Sequence, residues 1–348
     1  MSPGTRKKIT IDEIAKEAFV SRSVVSRVLN DRPNVSPEAR LRVLEAIKRF
    51  DYRPDSKARG LATHRTKEIC TIIPRRTDGV LATGYWPLVL LGIAERSAHR
   101  GYFQTMSAIS NPSEAEFMAR IVSESRFDGF VLVRREVTRL VAAAIVERDV
   151  PAVLIGHDPE FDSLSSVDVD NRKGARAATE HLVDLGHMKI GLILGPDQLL
   201  ETTDRKAGYL EVLESRNIPI RDELIARGDY TSASGYHVFK EWVESGHRPT
   251  AVFCTSDVMA FGVLRATYEL GLSVPGDIAV VGFDDLPAAS YSVPPLTTVH
   301  QPIYDKGAAA ADMLIDEIEE RNPTILHARL RPDLVVRASC GGTPSLEE

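Results

Sequence analysis

The sequence predicts an N-terminal all-α helix-turn-helix headpiece followed by a C-terminal α/β two-lobed domain with parallel sheets. Three observations carry this. Residues 1–66 hold 15 Lys or Arg against 8 Asp or Glu, a net of +7, while the remaining 28 basic and 41 acidic residues leave −13. The first fifty residues read as short, capped helices. From Lys67 onward, short apolar strands alternate with amphipathic segments, and the alternation runs twice.

The 348 residues are 43% hydrophobic and 26% charged, with a net charge of −6. That composition is globular, and the length suits two or three domains. No apolar run is long enough to span a bilayer. The basic start MSPGTRKKIT lacks the apolar stretch of a signal peptide, which predicts a cytoplasmic protein. Cys70, Cys254 and Cys340 are far apart, form no CxxC pair and suggest no disulfide framework. A basic head on an acidic body suits a polyanionic partner. Attraction to phosphates is local, screened within roughly 10 Å, and the negative body keeps the rest of the surface off the polyanion.

Within the head (1–53), Thr10-Ile-Asp-Glu13 is a capping box, so a helix follows with Ile11, Ile14, Ala15 and Ala18 on its buried face. Ser21 is placed to cap a second helix. At 100° per residue, Arg22, Ser23, Ser26, Arg27 and Asn30 share a polar arc, and Val24, Val25, Val28 and Leu29 the apolar one. The short gap between the two helices is helix-turn-helix spacing. Ser36-Pro37-Glu38 opens a third helix, whose predicted buried stripe is Leu41, Leu44, Ile47 and Phe50. A plain three-helix bundle with a solvated basic face is the bland alternative. The capped pair, the short turn and the Arg/Ser/Asn face favour reading of double-stranded DNA, with Thr10, Arg22, Ser23, Ser26, Arg27 and Asn30 as contacts.

Residues 54–66 follow as a hinge. Pro54 can begin a short helix, which Gly60 weakens by roughly 1 kcal/mol relative to Ala. Leu61 stands among Lys57, Arg59, His64 and Arg65. An apolar side chain so placed can wedge into a minor groove while Lys57 and Arg59 hold phosphates. A linker whose Leu61 packs on the body is the other reading these residues allow.

In the body (67–340), EICTIIP (68–74), YFQTMSAI (102–109), FDGFVLV (127–133) and PAVLIG (151–156) are strand-like, and KIGLILG (189–195), TAVFCTS (250–256) and DIAVVGFDD (277–285) repeat the pattern. Two such sets imply two lobes with a cleft between them, as in periplasmic sugar-binding proteins. Ligands of open α/β sheets sit beyond the carboxyl ends of the strands. There lie Arg75, Arg76, Tyr85 and Trp86, then Arg134 and Arg135, His157, Arg205, Ser256 with Asp257, and Asp284 with Asp285. Carboxylates and guanidinium forks bind vicinal hydroxyls, and aromatic faces cover C–H surfaces, which suits a polyhydroxylated ligand. Residues 341–348 read as a disordered tail.

The stretches "VSRVLN", "VSPEAR", "YRP" and "ARGL" resemble the headpiece and hinge of the lactose-repressor/galactose-repressor family of bacterial transcription regulators. "RPTAVFCTSDVMAFGVL", "VPGDIAVVGFDD" and "PPLTTVHQP" extend the resemblance to about Cys340. It implies that Arg22 and Ser23 read major-groove base edges with Arg27 beside them, and that Leu61 from each subunit of a homodimer enters the minor groove at the centre of a palindromic operator. It also implies that Arg205, Asp284 and Ser256 bind an effector, that Tyr230 is the pocket aromatic, and that His157 and Asp170 lie at or beside the pocket. Tyr85 and Trp86 complete the candidate set. Phe19 departs from a small residue such as Gly at the turn, and Gly60 from the usual Ser. Leu199 replaces an Arg of the purine-binding member, which makes a sugar the default effector. The Arg pairs 75–76 and 134–135 leave open an anionic sugar.

The sequence holds no GxxxxGK[ST], GxSxG or HExxH, and His181 and His187 do not stack on one helix face. Asp257, Asp284 and Asp285 are carboxylates of the kind acid/base catalysis uses, but an enzyme has no need of the head. No enzyme activity and no cofactor or metal are expected. A plain small-molecule binding module, such as a transporter's receptor, is the second reading, and the basic head argues against it. The predicted function is a ligand-controlled repressor of sugar-utilisation genes.

Overall fold

The structure, a computed structural model, describes residues 9–29, 33–52, 65–74, 84–124, 126–133, 138–319 and 324–343. It divides into two compact units, Met1–Thr66 and Lys67–Glu348.

The first unit contains helices α1 (Ile11–Glu17), α2 (Arg22–Leu29) and α3 (Pro37–Arg49). The capping box of Thr10 and Glu13 forms as its spacing requires, with the Glu13 carboxylate accepting from the Thr10 amide at 2.8 Å. Phe19 ends α1 at φ 54°, in the left-handed region. The amides of Phe19 and Val20 donate back to the carbonyls of Lys16 and Ala15, a Schellman cap. Gly is favoured there because a Cβ is strained at that φ. The Phe19 side chain is 87% exposed, so the turn keeps its shape by sending the ring outward. Ser21, expected to cap α2, pairs its hydroxyl with that of Ser23 at 2.8 Å.

The core of this unit is Ile14, Ala15, Ala18, Val25, Val28, Val43 and Ala46. Of the stripe expected for α3, Ile47 packs against this core, but the rest is rotated away from it. Leu41 and Leu44 are exposed, and Val43 and Ala46 face inward. Two parallel apolar stripes run along this helix, and the smaller one meets α1 and α2 because small side chains permit closer approach.

The second unit carries two sheets. The first has strands β1 (Glu68–Pro74), β2 (Phe103–Ile109), β3 (Gly129–Val133), β4 (Ala152–Ile155), β5 (Ser165–Val169) and, late in the chain, β11 (His327–Leu330). Their order is β11-β5-β4-β3-β1-β2, all parallel. The second has β6 (Ile190–Leu194), β7 (Ile225–Arg227), β8 (Ala251–Cys254), β9 (Ala279–Asp284), β10 (Thr297–His300) and β12 (Asp333–Val335), ordered β12-β10-β9-β8-β6-β7, with only the β10–β12 pair antiparallel. Both sheets wind in the same 2-1-3-4-5 sense, with a switch point beside the first strand, which sets a ligand crevice at the carboxyl ends. Strands β3, β4, β6 and β8 are buried throughout, as strands covered on both faces must be.

Helices α4 (Tyr85–His99), α5 (Pro112–Ser123), α6 (Arg139–Arg148) and α12 (Ile303–Glu319) accompany the first sheet, and α7 (Asn171–Asp184), α8 (Leu200–Ser215), α9 (Ser232–Glu244), α10 (Asp257–Glu269) and α11 (Pro287–Tyr291) the second. Among the described residues the chain passes between lobes three times, after β5, after β10 and after β11. Residues 341–343 close the carboxyl end of the second lobe, where the Gly342 amide donates to the Cys340 sulfur.

Glycines set the helix pairs in both lobes. A Cβ at Gly92 or Gly307 would strike the carbonyls of Tyr304 or Val89 across the α4–α12 contact, and one at Gly235 or Gly262 those of Met259 or Ser232 across α9–α10. Backbone cannot yield as a side-chain tip does. Gly262→Ala is therefore expected to cost about 2–3 kcal/mol, read as a lower urea midpoint. An unchanged midpoint would mean that the helices slide apart freely.

Candidate functional site

In the first unit, Arg22, Ser23 and Arg27 are exposed on one side of α2, and Val25 and Val28 are buried on the other. Arg42 donates to the Ala18 carbonyl at 3.1 Å and Arg49 pairs with Glu17 at 2.6 Å, so these two arginines brace α3 against α1. That leaves the α2 arginines presented outward by a helix whose position the core fixes. Asn30, Lys57, Arg59 and Leu61 lie outside the described residues, as do Arg75, Arg76, Arg134 and Arg135.

Between the lobes, side chains converge from the crossing segments. Arg205 on α8 is 5% exposed. Its Nε donates to Asn171 Oδ1 at 2.9 Å and its Nη1 to the Thr255 carbonyl at 2.6 Å, while the guanidinium lies 3.7 Å from the Phe283 ring centroid. Asp284 ends β9 at 7% exposure, with φ 130°. Asp285 follows at φ 56°. Two successive residues held in the left-handed half of backbone space are strain of the kind concentrated at binding sites. The turn sends Asp284 and Asp285 apart. Asp285 accepts from Arg337 at 2.8 Å and pairs with His300 at 2.9 Å, while Asp284 accepts from Gln301 Nε2 at 2.6 Å.

Gln301 in turn accepts from Lys306 Nζ at 3.0 Å, and Lys306 also faces Tyr85 Oη at 3.3 Å and Asp168 at 3.5 Å. The network thus runs from Asp168 and Tyr85 in the first lobe, through Lys306 and Gln301 at a crossing, to Asp284 in the second. Reasoning from sequence missed Lys306, Gln301, Asp168 and Asn171.

The other candidates take these places. Ser256 caps α10, accepting from the Met259 amide at 3.3 Å. Asp170 caps α7 at the first crossing, accepting from the Lys173 amide, and its own amide donates to Leu330. Tyr230, at φ 67°, lies over Gly195 and is 3.1 Å from the Thr202 hydroxyl. Any side chain at Gly195 would displace that ring. Trp86 is buried edge-on against Tyr85, centroids 4.9 Å apart. His157 sits beside His327 of the edge strand, ring centroids 5.7 Å apart.

Burial pushes the Asp284 carboxyl up to about 6, with Arg205 and the Gln301 hydrogen bond opposing it. Burial, with the charge of Asp284, pushes Asp257 to about 8. Asp257 bonds Thr298 at 2.5 Å and accepts from the Leu286 amide at 2.8 Å, so it braces the turn behind Asp284. A hydroxylated ligand entering this cleft would donate to the ionised Asp284. Protonation removes that acceptor, so affinity is expected to be flat above neutrality and to fall as pH drops through about 6. Calorimetric titration between pH 5 and 8 checks this, and Asp284→Asn is expected to flatten the profile.

Residues 10–55 match the model of the bacterial regulatory proteins of the lacI family, and residues 179–340 a periplasmic binding protein-like domain. The HTH-type transcriptional repressor PurR of Salmonella paratyphi B is 33% identical over 342 residues, covering 96% of this chain and 98% of its own. The chain belongs to the lacI family. As a lacI-family protein it is a DNA-binding transcriptional regulator with a ligand-binding body. It is similar to the lac repressor dimer bound to operator and the anti-inducer ONPF, at TM-score 0.81 and 29% identity, covering 96% of this chain and 99% of that one. It is also similar to the transcriptional regulator CelR in complex with cellobiose, at TM-score 0.75 and 30% identity, covering 95% and 99%.

Proposed function

We propose that this lacI-family regulator is a repressor of sugar-utilisation genes, binding a palindromic operator as a homodimer and leaving it when a small neutral carbohydrate fills the cleft. The observation that carries the effector reading is the buried Arg205 and Asp284 set at the crevice between the lobes, with the Tyr230 ring stacked over Gly195. Fork, carboxylate and aromatic face together match the hydroxyl edge and C–H face of a sugar.

Relatives named PurR favour a purine as the second reading. Leu199 speaks against it. It is buried at the start of α8 and offers no hydrogen bond where the purine-binding member of the family has an arginine. The cleft carboxylates serve binding and bracing in this reading, not catalysis. Among the described residues no helix is long and apolar enough to cross a membrane, and a DNA partner favours a cytoplasmic location.

The DNA face is α2, with Arg22 reading guanine as a fork, Ser23 and Ser26 adapting to either neighbour, and Arg27 beside them. Thr10, Asn30, Lys57 and Arg59 hold phosphates, and Leu61 enters the minor groove. Twofold symmetry demands matched half-sites. Support for the dimer comes from the edge strand β2, which exposes Phe103 and Met106, and from Phe117 exposed on α5. Unpaired edges with apolar side chains ask for cover.

The test is operator binding by fluorescence anisotropy, on fragments from this gene's own neighbourhood, titrated with neutral sugars, phosphorylated sugars and purines. Release by a neutral sugar supports the proposal. Tightening by a purine replaces it with the co-repressor reading, and a response only to phosphorylated sugars brings the arginine pairs into the pocket. The salt dependence should be steep, with a log–log slope of about −0.9 per phosphate contact. A slope near zero would exclude headpiece docking.

A further inference from the structure

We propose that His157, Asp162 and His327 form a binding site for a zinc-like transition-metal dication at the edge of the first sheet. Each residue offers one ligand atom, and these atoms lie within 4.8 Å of one another. Tetrahedral zinc bound through two imidazoles and a carboxylate holds ligand atoms about 3.3 Å apart. The remaining gap is within reach of rotamer changes, because Asp162 and His327 keep 67% and 38% of their side-chain surface in solvent.

Three separate segments supply the ligands, and each is anchored. His157 follows Gly156, which turns the chain at φ 90° after β4. Asp162 comes from the returning loop, which Asp158 caps through the Glu160 amide and which Phe161 and Leu164 pin into the core. The neighbouring acid Glu160 is engaged by Arg139, which leaves Asp162 as the carboxylate facing the two rings. His327 begins β11, in register with Ser166 of β5.

The second observation lies behind His327. Its Nδ1 is 2.9 Å from the Ser166 hydroxyl, and its Nε2 is turned toward Asp162 at 3.7 Å. A hydrogen-bonded Nδ1 is how a protein orients a ligating histidine and fixes which nitrogen keeps its lone pair. A plain ion pair between His327 and Asp162 needs neither that orientation nor a second imidazole edge-on at 5.7 Å. Two nitrogens and one carboxylate select zinc, nickel, cobalt or copper over magnesium or calcium, which prefer all-oxygen shells. Solvent completes the coordination. The ion would tie the loop after β4 to the strand that leads into the third crossing between the lobes.

The experiment uses metal-stripped full-length protein, titrated with Zn²⁺ against a chromogenic chelator, with Co²⁺ absorption as a second readout. One Zn²⁺ per chain at micromolar affinity or tighter is expected, with Asp162→Asn and His327→Ala each weakening it at least about tenfold. Ser166→Ala should weaken it less, since it frees only the ring's orientation. Both ligand variants sit at the surface, and circular dichroism checks that they fold. No binding, or equal binding in the ligand variants, overturns the site. So does a thiolate charge-transfer band with Co²⁺, which would move the ion to His181 and Cys340, 3.2 Å apart in the other lobe. Because neither Asp162 nor His327 belongs to the proposed effector set, failure here leaves the cleft reading standing.

Discussion

Arg205→Leu is expected to lower effector affinity about 100-fold and to leave a repressor that binds operator without being released. Two of the five guanidinium N–H donors are spent on Asn171 and Thr255. Those bonds and the Phe283 face immobilise the fork before any ligand arrives, so its remaining donors would meet a ligand without a new entropy cost. Hydrogen bonds to a charged group contribute about 1.5–3 kcal/mol each, and 1.4 kcal/mol is tenfold. Losing one or two accounts for the factor. The operator-binding unit holds its own core and should be untouched. Asn171→Ala separates bracing from contact, since it loosens Arg205 but keeps its charge, and a loss nearer tenfold is expected. Effector calorimetry and operator anisotropy on the same samples decide it. Equal losses in both variants would make Arg205 a brace only.

What was legible in the sequence followed from how local each signal is. The Thr10–Glu13 box, the Ser36-Pro37 start and the alternating strands are written within a few residues, and all formed. Asp284 could be placed because it ends a strand, where α/β crevices open, whereas Arg205, inside α8, was singled out by the family resemblance. The Lys306 network could not. Its members stand at 85, 168, 284, 301 and 306, and only the three crossings between lobes bring them together. A lysine opening an amphipathic helix reads as solvated surface, and nothing local says that it is buried. The same limit misled the reading of α3, where two apolar stripes compete. Which one turns inward is decided by the helices it meets. His327 escaped notice for a related reason, since it lies 170 residues from His157 in sequence and reaches it only through sheet order.

Lys306→Met should show what that network does. Lys306 is 3% exposed, and although burial favours its neutral form, Tyr85 and Asp168 hold its pKa above the ordinary lysine value. It is therefore a buried cation with partners in both directions. Removing one member of a buried pair costs about 3–5 kcal/mol. Asp168 keeps a fifth of its side-chain surface in water, which argues for the lower end, about 3 kcal/mol of unfolding free energy by urea titration. The more telling change is in the cleft. Lys306 is one of the charges that oppose the upward push of burial on Asp284, and it also fixes the Gln301 amide that donates to Asp284. Without it, Asp284 holds its proton to higher pH. The pH at which effector affinity falls should therefore move upward from about 6, toward neutrality, in the variant. A protein that loses stability but keeps the original pH midpoint would reduce Lys306 to a strut between α12 and the first sheet. A shifted midpoint would make it the residue through which one lobe sets the protonation of the other, and would tie the acid sensitivity of effector release to the crossing the chain makes after β10.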